Sequence, residues 1–163
     1  MSNLKSGRYG RRPNRKRGQA LVEFALVIPL FLLLLCGIMD FGVMLFQRMT
    51  IINSAREGAR AAVMIPADSN GHVTEVAIDQ AAWGAAVSTA NEAGVSISNS
   101  NVQVTCIQTH SSPSSTTLVP GGCDNAIPGD SVHVSISYTY HTFFPLLLGA
   151  SFGLGATVQM VID

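Results

Sequence analysis

The sequence predicts an α+β protein. A single N-terminal transmembrane helix continues into a small outer domain, in which a second helix packs on a three- to four-stranded antiparallel sheet. Three observations predict this. The run from Phe24 to Phe46 is apolar but for Asp40 and gives about 35 Å of helix, enough to cross a bilayer. Small and apolar residues then keep helical spacing as far as Val63. Further on, Val132 to Tyr140 alternates apolar and polar side chains, the two-residue period of a half-buried strand.

Charge divides the chain sharply. The 163 residues carry equal numbers of acidic and basic side chains, ten of each. Lys5, Arg8, Arg11, Arg12, Arg15, Lys16 and Arg17 all precede the apolar run, and no Lys or Arg follows Arg60. A basic block before a span stays cytoplasmic and directs the rest of the chain outward. The acidic remainder repels phosphate backbones, which argues against a nucleic-acid partner. The expected organisation is a basic leader at 1–18, a transmembrane helix at 19–46, its extramembrane continuation at 47–65, and an outer α+β domain at 66–163 with a mobile loop at 108–122.

Within the span, Pro29 removes a backbone donor and is expected to kink or loosen the helix. Asp40, near the outer end, is expected to snorkel toward the headgroups, with a role as an intersubunit partner the alternative. Beyond the span, Ile52, Ala55, Ala59, Ala62 and Val63 form a stripe, with Arg56 and Arg60 beside it and Glu57 within i,i+3 reach of Arg60. Pro66 and Asp68-Ser-Asn-Gly71 end the helix.

The outer domain reads as a second helix over Val73–Ala93 with Val76, Trp83, Val87 and Ala90 facing inward and Gly94 as its stop. Strands are expected at Asn101–Ile107, Val132–Tyr140 and Leu154–Ile162. Cys106 and Cys123 bracket a Ser/Thr/Pro/Gly-rich stretch and are the only cysteines outside the span, so an oxidising compartment favours a disulfide between them. The alternative is two buried thiols. His133 and His141 share a strand face about 26 Å apart and cannot share a metal. No phosphate loop, nucleophile elbow or HExxH occurs, and neither enzyme activity, a cofactor, a metal nor a small-molecule substrate is expected.

One constellation remains. Gly18-Gln19-Ala20-Leu21-Val22-Glu23-Phe24 ends the basic leader with a glycine and sets one carboxylate inside the mouth of the span, where a charge is costly. This resembles the processing site of type IV prepilins and pseudopilins, and implies peptidase cleavage between Gly18 and Gln19. Glu23 then pairs with the new amine of a neighbouring subunit. The segment with Pro29, then Gly37-Ile38-Met39-Asp40-Phe41-Gly42, then Ala55-Arg56-Glu57-Gly58-Ala59-Arg60 is similar to the TadE-like family of the tight-adherence (Flp) pilus system. His141-Thr-Phe-Phe-Pro145 and Ala156-Thr-Val-Gln-Met160 resemble that family's closing strand pair more loosely.

The resemblance implies a pilin-like fold in a bacterial inner membrane, with the outer domain periplasmic. Its implied partners are the prepilin peptidase, other pilin or pseudopilin subunits and the assembly platform. An uncleaved single-pass adaptor, whose acidic outer domain binds another envelope component, is the alternative. A third reading is an outer domain released by signal peptidase.

Overall fold

The computed structural model describes residues 15–66, 74–108, 123, 126–145 and 149–162. The leader before Arg15, the Asp68–Gly71 stop, His72, His110 and nearly all of the 108–122 loop lie outside the described residues.

Helix α1 runs unbroken over Arg15–Val63, 49 residues, and passes through Pro29. The expected loosening does not interrupt it; the carbonyl of Ala25 simply lacks its amide donor. Every residue from Gly18 to Leu35 is exposed, and the helix first buries side chains where the outer domain meets it. There the inward stripe is Ile51, Ser54, Ala55, Gly58, Ala59 and Ala62, with Ile52 and Val63 only half-buried at its margins. Arg56, Glu57 and Arg60 face solvent.

Helix α2 spans Glu75–Glu92 after the extended residue Thr74. Its buried face is Ile78, Ala82, Ala86 and Ala90, one residue every turn. Val76, expected inward, is instead exposed, and Trp83 and Val87 pack half-buried along the edge of the core. The alanine face wins because it lets α2 approach α1 more closely than a valine–tryptophan face would. The helix ends as Gly94 predicts. This residue takes a φ of +81°, Gly94 N–H donates to Asn91 O at 2.9 Å, and Val95 N–H donates to Ala90 O at 2.9 Å.

The sheet holds three strands in the order β1-β2-β3, all antiparallel: β1 Val102–Ile107, β2 Ser131–His141 and β3 Ser151–Val161. Val134 lies opposite Val104 on one side and Val158 on the other. Val132, Val134, Ile136 and Tyr140 are buried against the helices, whereas His133, Ser135 and Ser137 lie on the opposite face. On that open face the Ser135 and Thr157 hydroxyls pair at 2.9 Å. Strand β3 starts earlier than the sequence pattern indicates, because Gly153 and Gly155 interrupt the alternation while the ladder to Thr139 and Ser137 continues.

Three elements meet at Gly58. A Cβ placed there would lie 3.0 Å from Ala82 O, 3.1 Å from the Ala86 Cβ and 3.4 Å from a Val134 methyl. Only a residue without a side chain lets α1, α2 and β2 close on one another at this point. The core they enclose is built from small side chains on the helices and β-branched ones on the sheet.

Cys106 at the end of β1 is bonded to Cys123, with both residues buried and 5.2 Å between their Cα atoms. Closing the loop between them, with a sequence separation of 17, contributes about 3 kcal/mol in the chain-entropy model. Reduction of the full-length protein in detergent is therefore expected to lower the unfolding free energy by about 3 kcal/mol in a urea titration. Gly58→Ala is expected to cost about 1–3 kcal/mol in the same titration, by overpacking against a backbone oxygen that cannot yield.

Candidate functional site

Two places on α1 set a carboxylate in otherwise apolar surroundings. The first is the start of the span. Gln19 and Glu23 stand one turn apart, and the Gln19 side-chain amide donates to Glu23 Oε1 at 3.3 Å. Both side chains are exposed, as are Gly18 and Phe24. The helical spacing thus puts the backbone nitrogen of residue 19 and the carboxylate of residue 23 on one accessible face. Gly18 lies inside α1 with nothing within 4 Å of where a Cβ would be.

The second place is Asp40. It is fully buried, so it does not snorkel to the headgroups as its position in the sequence suggests. The end of β2 and the turn after it fold back over it. The Tyr140 hydroxyl donates to Asp40 Oδ1, and the same hydroxyl lies 3.3 Å from the Asp40 carbonyl oxygen. Phe143 N–H donates to Oδ1 at 3.4 Å and Phe144 N–H to Oδ2 at 3.3 Å. A phenol and two consecutive amides therefore satisfy both carboxylate oxygens, which makes burial of the group tolerable. The β2–β3 turn is itself braced by Gly149 N–H donating to Pro145 O at 3.0 Å and by the Thr142 hydroxyl donating to Gly149 O.

Burial, followed by the hydrogen bond and charge of Asp40, pushes the Tyr140 phenol up to about 12, so it remains a donor at any physiological pH. Elsewhere, burial lowers the His133 imidazole, while burial and the nearby Glu75 raise Asp79. Among the described residues no cluster of His, Cys, Asp or Glu is arranged to hold a metal.

The structure therefore brings Asp40 together with Tyr140, Phe143 and Phe144, but keeps Glu23 far down the helix from the outer domain. Gly58, expected only as part of a motif on the helix, is a packing contact, whereas Arg56, Glu57 and Arg60 remain on the surface. Tyr140 and the two amides were not legible as partners of Asp40. The signal available was the carboxylate itself, a charge within an apolar run that needs a partner.

Against known families, residues 18–60 match the model of the TadE-like protein family. Over this stretch the chain is similar to TadE-like proteins. The match takes in Gly18, Glu23, Pro29, Asp40 and Gly58 and stops before α2 and the sheet. The TadE-like segment implies a part in tight-adherence (Flp) pilus-related assembly, alongside other pilus components. Among the described residues the one helix apolar and long enough to span a membrane is α1, whose apolar window has a mean hydropathy of 2.7 and no burial within the molecule. No curated protein and no solved structure matches the chain.

Two outcomes follow from the two titrating environments. Tyr140→Phe is expected to cost about 1–3 kcal/mol, by leaving a buried carboxylate short of a donor. Faster amide exchange at Phe143 and Phe144, with membrane insertion unchanged, would localise the effect to the Asp40 contact. For His133, the folded value lies below the unfolded 6.5, so the unfolded chain binds more protons as the pH falls through that value. Stability is therefore expected to decline on acidification below about pH 6.5, and His133→Gln to flatten that decline in denaturant titrations run at several pH values.

Proposed function

We propose that this protein is a membrane-anchored pseudopilin that takes part in tight-adherence pilus assembly after cleavage between Gly18 and Gln19. The observation that carries this reading is the TadE-like match beginning at Gly18, in a helix whose only carboxylate near that end is the exposed Glu23. Cleavage leaves Gln19 as the first residue. Its new amine and Glu23 then lie on one helical face, a turn apart. Within one chain the carboxylate already has the Gln19 side chain as a neighbour. Between chains, the amine of one subunit meets Glu23 of the next and cancels two charges that the hydrocarbon disfavours.

The apolar surface from Phe24 to Leu35 supports lateral packing, since none of it is covered by the protein's own domain. Gly18 suits the cleavage step in a second way. The scissile bond lies within the helical stretch that starts at Arg15, and a peptidase must draw it out into an extended form. Glycine weakens a helix by about 1 kcal/mol relative to alanine and so lowers the cost of that opening. In this reading the protein sits in a bacterial inner membrane with the leader in the cytoplasm and α2 and the sheet in the periplasm.

An N-terminal sequence and intact mass, taken on membrane-extracted protein with and without the pilus-system peptidase, test the cleavage. The expected product starts at Gln19 only when the peptidase is present; a chain retaining residues 1–18 in both cases would leave an uncleaved adaptor. Glu23→Ala is expected to abolish assembly while membrane insertion and cleavage persist, a combination an adaptor would not show.

A further inference from the structure

We propose that the β2–β3 turn is a second membrane element, with Phe143 and Phe144 seated in the outer leaflet beside α1, so that Asp40 is capped below the membrane surface rather than at it. This rests on α1 spanning a bilayer and not on the role in pilus assembly.

The argument starts from depth. With Glu23 at the inner boundary of the hydrocarbon, a layer about 30 Å thick reaches about 20 residues further along a helix. Asp40 falls inside that limit, and the apolar exposed residues Phe41, Leu45 and Phe46 lie beyond it toward the outer face. Yet Asp40 is covered by Tyr140 and by the amides of Phe143 and Phe144. Whatever depth Asp40 has, the turn shares.

The pattern of burial along α1 agrees. All residues from Gly18 to Leu35 are exposed, but Cys36 and Gly37 are half-buried, one turn further from the outer end than Asp40. Burial along α1 thus begins a turn before Asp40, inside the apolar run instead of where it stops.

The surface of the turn is what that depth requires. Phe143 is 67% exposed and Phe144 39%, with Phe152 at 38% on the neighbouring strand. From Ser131 to Ile162 the sequence contains no Lys, Arg, Asp or Glu. Two adjacent exposed phenylalanines, on a stretch that carries no charge of its own, are costly in water and suited to the headgroup–acyl boundary. From Phe143 to Pro145 the backbone donors that such a site must hide are provided for. The amides of Phe143 and Phe144 go to Asp40, and Pro145 has no amide to hide.

The occupant of this surface is the bilayer because the amides of Phe143 and Phe144 are held against Asp40, inside the apolar run of α1. A second copy of the chain packing against the turn is the competing occupant. Both are distinguished by fluorescence on the full-length protein in vesicles. Trp83 is the single tryptophan, and Trp83→Phe gives a silent background. In that background Phe143→Trp and, separately, Phe144→Trp report on the turn, Leu33→Trp on the span and Val76→Trp on the exposed side of α2.

In vesicles with acyl chains brominated near the headgroup, Phe143→Trp and Phe144→Trp are expected to lose most of their emission and to resist acrylamide. Val76→Trp should show the reverse. If Leu33→Trp is quenched by brominated lipid but both turn variants are quenched by acrylamide instead, the turn lies in water and the proposal fails. Protection of both turn variants from both quenchers places a protein partner there and overturns it equally. If Leu33→Trp itself escapes lipid quenching, the spanning reading of α1 fails and the proposal with it.

Discussion

A carboxylate set into an apolar helix has to find donors, and in this protein the search organises the outer domain. Asp40 cannot be left bare among Met39, Phe41 and the residues around them, because an unpaired charge in low dielectric costs far more than the fold's net stability can absorb. Its donors come from β2 and the turn beyond. That contact fixes how far along α1 the sheet sits and which end of β2 points toward the span. The second fixed point is Gly58, where the missing side chain admits Ala82, Ala86 and Val134. Between the two, α1 advances from residue 40 to residue 58 while β2 runs back from Tyr140 to Val134. Strand and helix therefore lie alongside one another in opposite directions. One anchor is polar and one is steric, and together they leave little freedom to slide.

Much of this was legible in the chain because the strongest signals are local. The span, the α+β class and the three strands each rest on a period read from adjacent residues, and the Cys106–Cys123 bond on there being no other cysteine outside the span. The face of β2 was legible for the same reason, since strict alternation from Val132 to Tyr140 admits one orientation. What failed was finer. On α2 the larger side chains suggested a stripe through Val76 and Trp83, whereas the protein buries its alanines, because the contact between two helices rewards close approach over bulk. On β3 the glycines at 153 and 155 erased the alternation and hid the first turn of the ladder.

The site shows the same division. Glu23 stood out at once, being a lone carboxylate one turn past the glycine that closes a basic leader, and its proposed role depends on sequence neighbours. Asp40 was equally visible as a charge in the wrong place. Its answer lay in Tyr140, Phe143 and Phe144, and nothing in a single sequence links a residue to partners that far away. The snorkelling expected of Asp40 was the reasonable outcome for an isolated helix; tertiary structure supplied a better one.

The distance between those partners has a consequence in time. Asp40 and Tyr140 are separated by 100 positions in the chain. A ribosome adding about 5–20 residues per second needs roughly 5–20 seconds to cover that interval. The helix is thus made well before the strand that completes it has been synthesised. Through that interval the carboxylate is bare, and water or lipid headgroups must serve as its temporary donors. A segment made late in synthesis thus supplies the donors that one made early requires.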